Sequence, residues 1–291
     1  MKKIFISALA IGFSLGVSAQ GYTPALKLDA GKKYEIVTVI DGNNTAEVMG
    51  QSMETPIKST SNAILDIKSA TEKGYQSSYV TNRLQFYTST MGQEMSYDSD
   101  KKEDKDTPMG KSLGNIVGGE TTFTVNNDGN IIKETVVKPT EEKKDNDASD
   151  MMGSMMGGLA SGNAGSCPAF DLFKSNKEIK IGESFVDSSS TEDKDGKSKN
   201  STTYTLKEIK DGNAIFTIAG TSSIEKRMEQ MGNEMTINTS IKSSGEVLVD
   251  AATGLLNKKT VISETTGTID VQGMSIPMSG KTTMTITVNA K

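Results

Sequence analysis

Apolar and polar residues alternate along most of this chain with a period of two. Ile57, Ser59, Ser61, Ala63, Leu65 and Ile67 share one parity, while Lys58, Asn62 and Asp66 lie on the other. The same alternation runs through Ile237, Thr239, Ile241, Ser243, Gly245, Val247 and Val249. It returns through Ile276, Met278, Gly280, Thr282, Met284, Ile286 and Val288. Successive strand side chains point to opposite faces, so each run builds one dry face and one wet face. Half-buried alternation of this kind predicts antiparallel sheet. In the second half the runs last about fifteen residues, against a usual five or six, and strands that long must twist and coil. The expected fold is mainly β: long antiparallel hairpins in a curved sheet, a half-barrel or a barrel, with two related repeats and a few short helices.

Turn residues punctuate the runs at Asp41-Gly42-Asn43, Glu72-Lys73-Gly74, Asn127-Asp128-Gly129, Lys210-Asp211-Gly212-Asn213 and Ala252-Thr253-Gly254. Each contains a residue that tolerates positive φ, as hairpin turns require. Gly220, Gly245, Gly267 and Gly280 fall inside runs and mark expected bulges or bends. Pro108 to Val117 is the best helix candidate, with Thr107 as cap and Pro108 in the first position.

One pattern repeats. Met49-Gly50-Gln51-Ser52-Met53, Met91-Gly92-Gln93-Glu94-Met95 and Met231-Gly232-Asn233-Glu234-Met235 share the form Met-Gly-amide-x-Met, and Val271-Gln272-Gly273-Met274 is a looser relative. Each sits between two alternating runs, as a hairpin turn with Met flanks would. Thr122 to Ile132 also resembles Val247 to Leu256, strand, turn and strand in both. Two copies of one β unit follow. The chain divides into a signal peptide at 1–19, a first β unit at 20–139, a flexible Gly- and Met-rich linker at 140–177 and a second β unit at 178–291. Within the linker, 150–159 (capped by Asp150) and 168–173 are candidate short helices.

The N-terminus changes the picture of where the protein works. Met1-Lys2-Lys3 precedes an apolar run from Ile4 to Val17, and Val17-Ser18-Ala19 offers small residues at a cleavage point. That is the layout of a cleaved secretory signal, too short and too rich in Ser and Gly for a membrane span. The expected location is periplasmic or extracellular, with no transmembrane helix in the mature chain. One cysteine, Cys167, among 291 residues permits no internal disulfide. A net charge of −5 gives no basic footprint for nucleic acid.

The chain has no histidine and no tryptophan. Without histidine the commonest general base, metal ligand and nucleophile partner are missing. Ser223 and Lys226 have serine–x–x–lysine spacing, but in a strand residues three apart point to opposite faces. Ser279-Gly280-Lys281-Thr282 echoes the end of a phosphate loop, yet Ser275 stands where the loop needs its first glycine. Asp193-Lys194-Asp195-Gly196 resembles part of a calcium loop, but Thr191 and Thr202 occupy the outer ligand positions, so a solvated hairpin tip is expected. The mixed-charge runs 98–106 and 141–147 are likewise expected to be solvated. Sixteen methionines allow a soft copper site, above all at Met151, Met152, Met155 and Met156. Methionine is also common apolar filler. No catalytic, cofactor-binding or metal-site residue is assigned.

The doubled unit, the Met-Gly-Gln-x-Met hairpins and the export signal ending in Ser18-Ala19-Gln20 resemble a family of exported Bacteroidota proteins of unknown function. The resemblance covers nearly the whole mature chain and implies no activity. At the level of architecture the long amphipathic hairpins also resemble half-barrel lipoprotein carriers of the LolA/LolB type. That resemblance implies a concave apolar face for acyl chains, covered by 108–117 or 150–173. The expectation is a non-enzymatic binding protein for a lipid or other apolar ligand. The alternatives are a structural or protein-interaction module of the cell envelope and, third, a Met-rich copper binder.

Overall fold

A computed structural model of the chain describes residues 21–48, 50–90, 92–137, 167–170, 177–230 and 233–291. The strands are β1 (Gly21–Tyr22), β2 (Lys33–Val48), β3 (Gln51–Thr71), β4 (Gly74–Thr90), β5 (Gln93–Asp98), β6 (Glu120–Val125) and β7 (Ile131–Val137). They continue with β8 (Ile179–Lys180), β9 (Ser184–Asp193), β10 (Gly196–Lys210), β11 (Asn213–Gln230), β12 (Asn233–Asp250), β13 (Leu256–Val271) and β14 (Met274–Ala290). Helices α1 (Lys102–Lys105) and α2 (Pro108–Leu113) lie between β5 and β6, and a 3₁₀ turn spans Pro168–Phe170. The segment 1–19 expected to be a signal peptide, the Met-rich segment and most of the linker lie outside the described residues.

Strands from both halves join in one antiparallel sheet of twelve, in the order β7-β6-β4-β3-β2-β14-β13-β12-β11-β10-β9, with β5 also on β4. β1 and β8 form a separate pair. The sheet is not closed into a barrel among the described residues. The alternation in β3 emerges as read: Ser59, Ser61, Ala63, Leu65 and Ile67 are buried, and Ile57 is half-buried at the end of the same face. That face, the inner one, also carries Ile36 and Ile40 of β2 and Val247 and Val249 of β12, all buried. Burial of such a side chain is worth about 1.5–3 kcal/mol.

The sheet has a closed and an open end. At the closed end, Cys167, Ala169 and Phe170 are buried within the main core. Phe170 meets Phe123 of β6 edge-on at 5.9 Å, while its turn packs on β13. β6 and β13 are far apart in strand order, so one plug touching both requires the sheet to curve around it. The segment after β1 crosses the same end: the Leu26 amide donates to the Asn127 carbonyl at 2.9 Å and the Lys27 amide to the Thr253 carbonyl at 2.8 Å. It thereby ties the β6–β7 turn to the β12–β13 turn.

Four of the five predicted turns are observed between strands. Asp211 and Gly212, with φ of 49° and 76°, make the left-handed pair of a two-residue hairpin, as do Gln272 and Gly273 at 51° and 77°. That turn type matches the right-handed twist of long strands. Asp41-Gly42-Asn43 is not a turn. It lies inside β2, where Gly42 faces Ile57 and Thr282, and the missing side chain leaves room for the Thr282 hydroxyl. The mid-run glycines are not bulges either, since the register shifts fall at 62/63, 67/69, 124/125, 206/208 and 248/249. Instead, β12 and β13 approach so closely at Gly245 and Gly267 that a β-carbon would run into the carbonyl oxygens of Thr260 and Asn238. In the first Met-Gly hairpin Gln51, read as part of the turn, already belongs to β3, where it pairs with Val48 of β2.

Candidate functional site

The hairpins β2–β3, β4–β5, β11–β12 and β13–β14 all turn at the open end, where the two halves differ. In the first half, β5 pairs with β4 only from Gln85 to Thr90, and β6 takes over from Tyr75 to Val80. Between them the chain leaves the sheet. Ser99 exchanges backbone hydrogen bonding with Leu84 through its amide (3.0 Å) and its hydroxyl (3.1 Å), and Gly118 returns by donating to the Thr81 carbonyl at 2.9 Å. The excursion contains α1 and α2. The Thr107 hydroxyl accepts from the Gly110 amide at 3.0 Å, the cap read from Thr107-Pro108. Met109 and Leu113 then pack on Leu84, Phe86 and Tyr97 in a second buried cluster. Segment 108–117 therefore covers the inner face of the first half.

In the second half β12 runs unbroken along β11, and no described helix covers the same face. Register places Lys226, Ile237, Ile269 and Ile276 in one inner row. Ile224, Thr239, Gly267, Met278, Ala46 and Met53 form the next row toward the core. The isoleucines and Met278 are half-buried, and Lys226 is exposed. Among the described residues, the helical segments that pack on the sheet do so elsewhere, α2 against β5 and the Pro168–Phe170 turn against β13 at the closed end. Closer to the core lie short polar side chains, including Ser243 and Ser263 with hydroxyls 3.0 Å apart and Asn200, which accepts from the Ser222 hydroxyl at 2.5 Å. This surface offers an apolar strip with one cation beside it and a polar band behind it.

Charge is concentrated where the excursion begins. Arg83 binds Asp98 at 2.9 Å and Asp100 at 3.0 Å, and Gln85 donates to Asp98 at 3.0 Å. The Arg83 guanidinium holds the Asp98 carboxyl down at about 2, helped by the Asp100 amide. The Asp104 carboxylate of α1 accepts from the Asp98 amide at 2.7 Å. Run 98–106, expected to be merely solvated, is thus a built corner, because Arg83 on the neighbouring strand supplies its countercharge. Nothing in the local sequence marks that partner. In the main core, burial pushes the Tyr22 and Tyr79 phenols well above their ordinary range.

The motifs weighed as chemistry are scattered. Ser223 and Lys226 lie on opposite faces of β11, since Ser223 pairs across to Ser240 and Lys226 to Ile237 in alternating register. Ser279 to Thr282 lies in mid-strand in β14, and Lys194-Asp195 forms the β9–β10 hairpin tip. Met151, Met152, Met155 and Met156 lie outside the described residues, as do the helix expected at 150–159 and the run 141–147. Of the expected helix at 168–173, Pro168 to Phe170 forms a 3₁₀ turn and the rest lies outside. Cys167 is buried at the edge of the plug.

A family model described as a family of unknown function matches residues 72–156 and 169–256. No curated protein matches the chain. Among solved structures, lipovitellin, from a study of lipid–protein interactions, aligns over 89% of this chain at 9% identity and a TM-score of 0.46, and the chain spans 25% of its length. An outer membrane channel of Pseudomonas putida F1 aligns over 91% of this chain and 97% of its own at 8% identity and a TM-score of 0.27. OccK7 of Pseudomonas aeruginosa aligns over 89% and 100% at 7% identity and 0.25. Likeness at these scores carries no argument about what this chain does.

Proposed function

The chain belongs to that family of unknown function, DUF6263, and on that premise we propose that it is an exported, non-enzymatic binding protein for a hydrophobic ligand. The ligand is a lipid or the acyl chain of a lipoprotein, held on the open-end inner face of β11 to β14. One observation carries this reading: Ile237, Ile269 and Ile276 lie half-buried on a face with no described helix over it, whereas the first half covers its own with α2. Apolar surface left at a sheet face is stabilised by whatever shields it from water. Lys226 beside the isoleucines gives an anionic head group a partner. The opposite face carries ionised rows such as Lys242, Glu264 and Lys281, with Lys281 and Glu264 paired at 3.3 Å. An ionised outer face suits a water-exposed sheet better than a lipid-facing one. Work in the periplasm or outside the cell belongs to the same reading and rests on the Met1 to Ala19 segment.

The test is native mass spectrometry of mature protein purified gently from its own envelope, followed by organic extraction. A bound apolar species that is lost in an Ile237→Asp, Ile269→Asp double variant supports the reading. A ligand-free protein that also fails to take up added oleate sinks it. A second reading, an envelope interaction module, is favoured by β9, which pairs with β10 alone among the described residues and leaves its other edge open. Crosslinking in the intact envelope that recovers only monomer would count against it.

A further inference from the structure

The outer face of the second half carries an open depression of about 410 Å³, on the other side of the sheet from the proposed apolar surface. Its floor is a row of hydroxyls in register, Ser223 opposite Ser240 and Ser240 opposite Thr266. Its wall is the next row, Lys197, Glu225, Asn238 and Thr268, again in register. At Gly267 a β-carbon would meet the Asn238 carbonyl oxygen, and the short floor residues keep the hollow open.

We propose that this depression binds a neutral, linear oligosaccharide lying across the strands. Its charges are already matched: Glu225 pairs with Lys197 and with Arg227, each at 2.7 Å, and Asp270 accepts from Asn238 at 3.1 Å. Paired charges leave little net attraction for an ion, while hydroxyls, an amide and carboxylates supply donors and acceptors together. A polyhydroxylated ligand uses both at once, and an apolar ligand uses neither. The floor groups repeat at the strand spacing, about 4.8 Å, close to the length of one pyranose unit. Three strands therefore offer roughly 10 Å of floor, enough for two sugar rings.

Isothermal titration of the full mature protein with cellohexaose, maltohexaose and glucose tests this. At least one hexasaccharide is expected to bind ten-fold or more tightly than glucose. Asn238→Leu is expected to weaken that binding at least ten-fold and Ser240→Val at least three-fold, with circular dichroism unchanged. Should Asn238→Leu fail to fold, Ser240→Val and Thr268→Val carry the same expectation at the surface. Absence of binding to both hexasaccharides overturns the proposal, and so does binding that the folded variants leave unaltered.

Discussion

Corresponding strands in the two halves have been used differently. β12 runs beside β11 without a break from Asn233 to Asp250, whereas along β4 the same edge is shared by β5 and β6. After the Met-Gly turns the sequences run parallel, Met95-Ser96-Tyr97 beside Met235-Thr236-Ile237. They part at the excursion, which takes residues 99–119 out of the sheet. Where the excursion exists, Tyr97 is buried opposite Phe86. Where it does not, Ile237 is half-buried and faces Lys226. Among the described residues, one scaffold therefore yields a self-covered face and one without a helix over it, and the difference is an insertion in a single strand. The aromatic pair needs a roof. The isoleucine beside a lysine tolerates water, and it is on this half that the proposed ligand would sit.

Making the first half resemble the second is the largest perturbation. Replacing residues 100–117 with a two-residue link would let β5 and β6 run together as β12 does. Leu84, Phe86 and Tyr97 would then lose their cover, at about 1.5–3 kcal/mol for each side chain re-exposed. A loss of roughly 5 kcal/mol follows, read as a lower urea midpoint, together with new binding of a hydrophobic dye. Unchanged stability would mean that the excursion contributes no cover. Leu113→Ala asks the same of a single contact: Leu113 is fully buried, so about 2–5 kcal/mol should be lost.

Acid should reach the two halves unequally. Arg83 holds the Asp98 carboxyl at about 2, below its ordinary 3.8. A depressed carboxyl contributes stability above its ordinary range and loses it as pH falls through its folded value. Between pH 4 and pH 2 the α1–α2 cover should therefore loosen, seen as faster amide exchange in 100–117 than in β11 to β13. Asp98→Asn should remove most of that pH dependence, and acid sensitivity of 100–117 that the variant leaves unaltered would refute the corner's role. A smaller effect belongs to the helix cap. Thr107→Ala removes two hydrogen bonds, the one accepted from the Gly110 amide and the one donated to the Asp104 carbonyl, and should cost about 1–2 kcal/mol, again confined to the first half.

The contrast between halves was only partly legible in the sequence. Alternation fixes which residues share a face, so the β3 core followed directly, and Thr107-Pro108 announced α2 because capping is local chemistry. What α2 covers was not legible, because the Met109 and Leu113 contacts join residues brought together only by the sheet's curvature. Arg83 with Asp98 is similar: the pair spans two strands, and alone each residue looks like ordinary surface charge. Asp41-Gly42-Asn43 misled for the complementary reason. A glycine beside polar residues has the local form of a turn, and only the Thr282 side chain on a strand 240 residues away explains it.

A paired truncation, one large expected effect set against one small, tests the comparison most directly. Tyr97 and Ile237 occupy matching places after matching turns, so truncating each to alanine compares roof with no roof. Tyr97→Ala removes a buried ring beneath α2 and should cost about 3–5 kcal/mol, the range for a buried aromatic. Ile237→Ala deletes a side chain that already meets water, and partial burial should bring its cost to about 1 kcal/mol or less. Urea unfolding of the two variants beside the parent protein gives both numbers. Equal costs would mean that Ile237 is as well covered as Tyr97, and the face proposed for the ligand would then be occupied by the chain itself. If Ile237→Ala scarcely changes stability yet abolishes uptake of oleate, the uncovered half is kept for binding and not for folding.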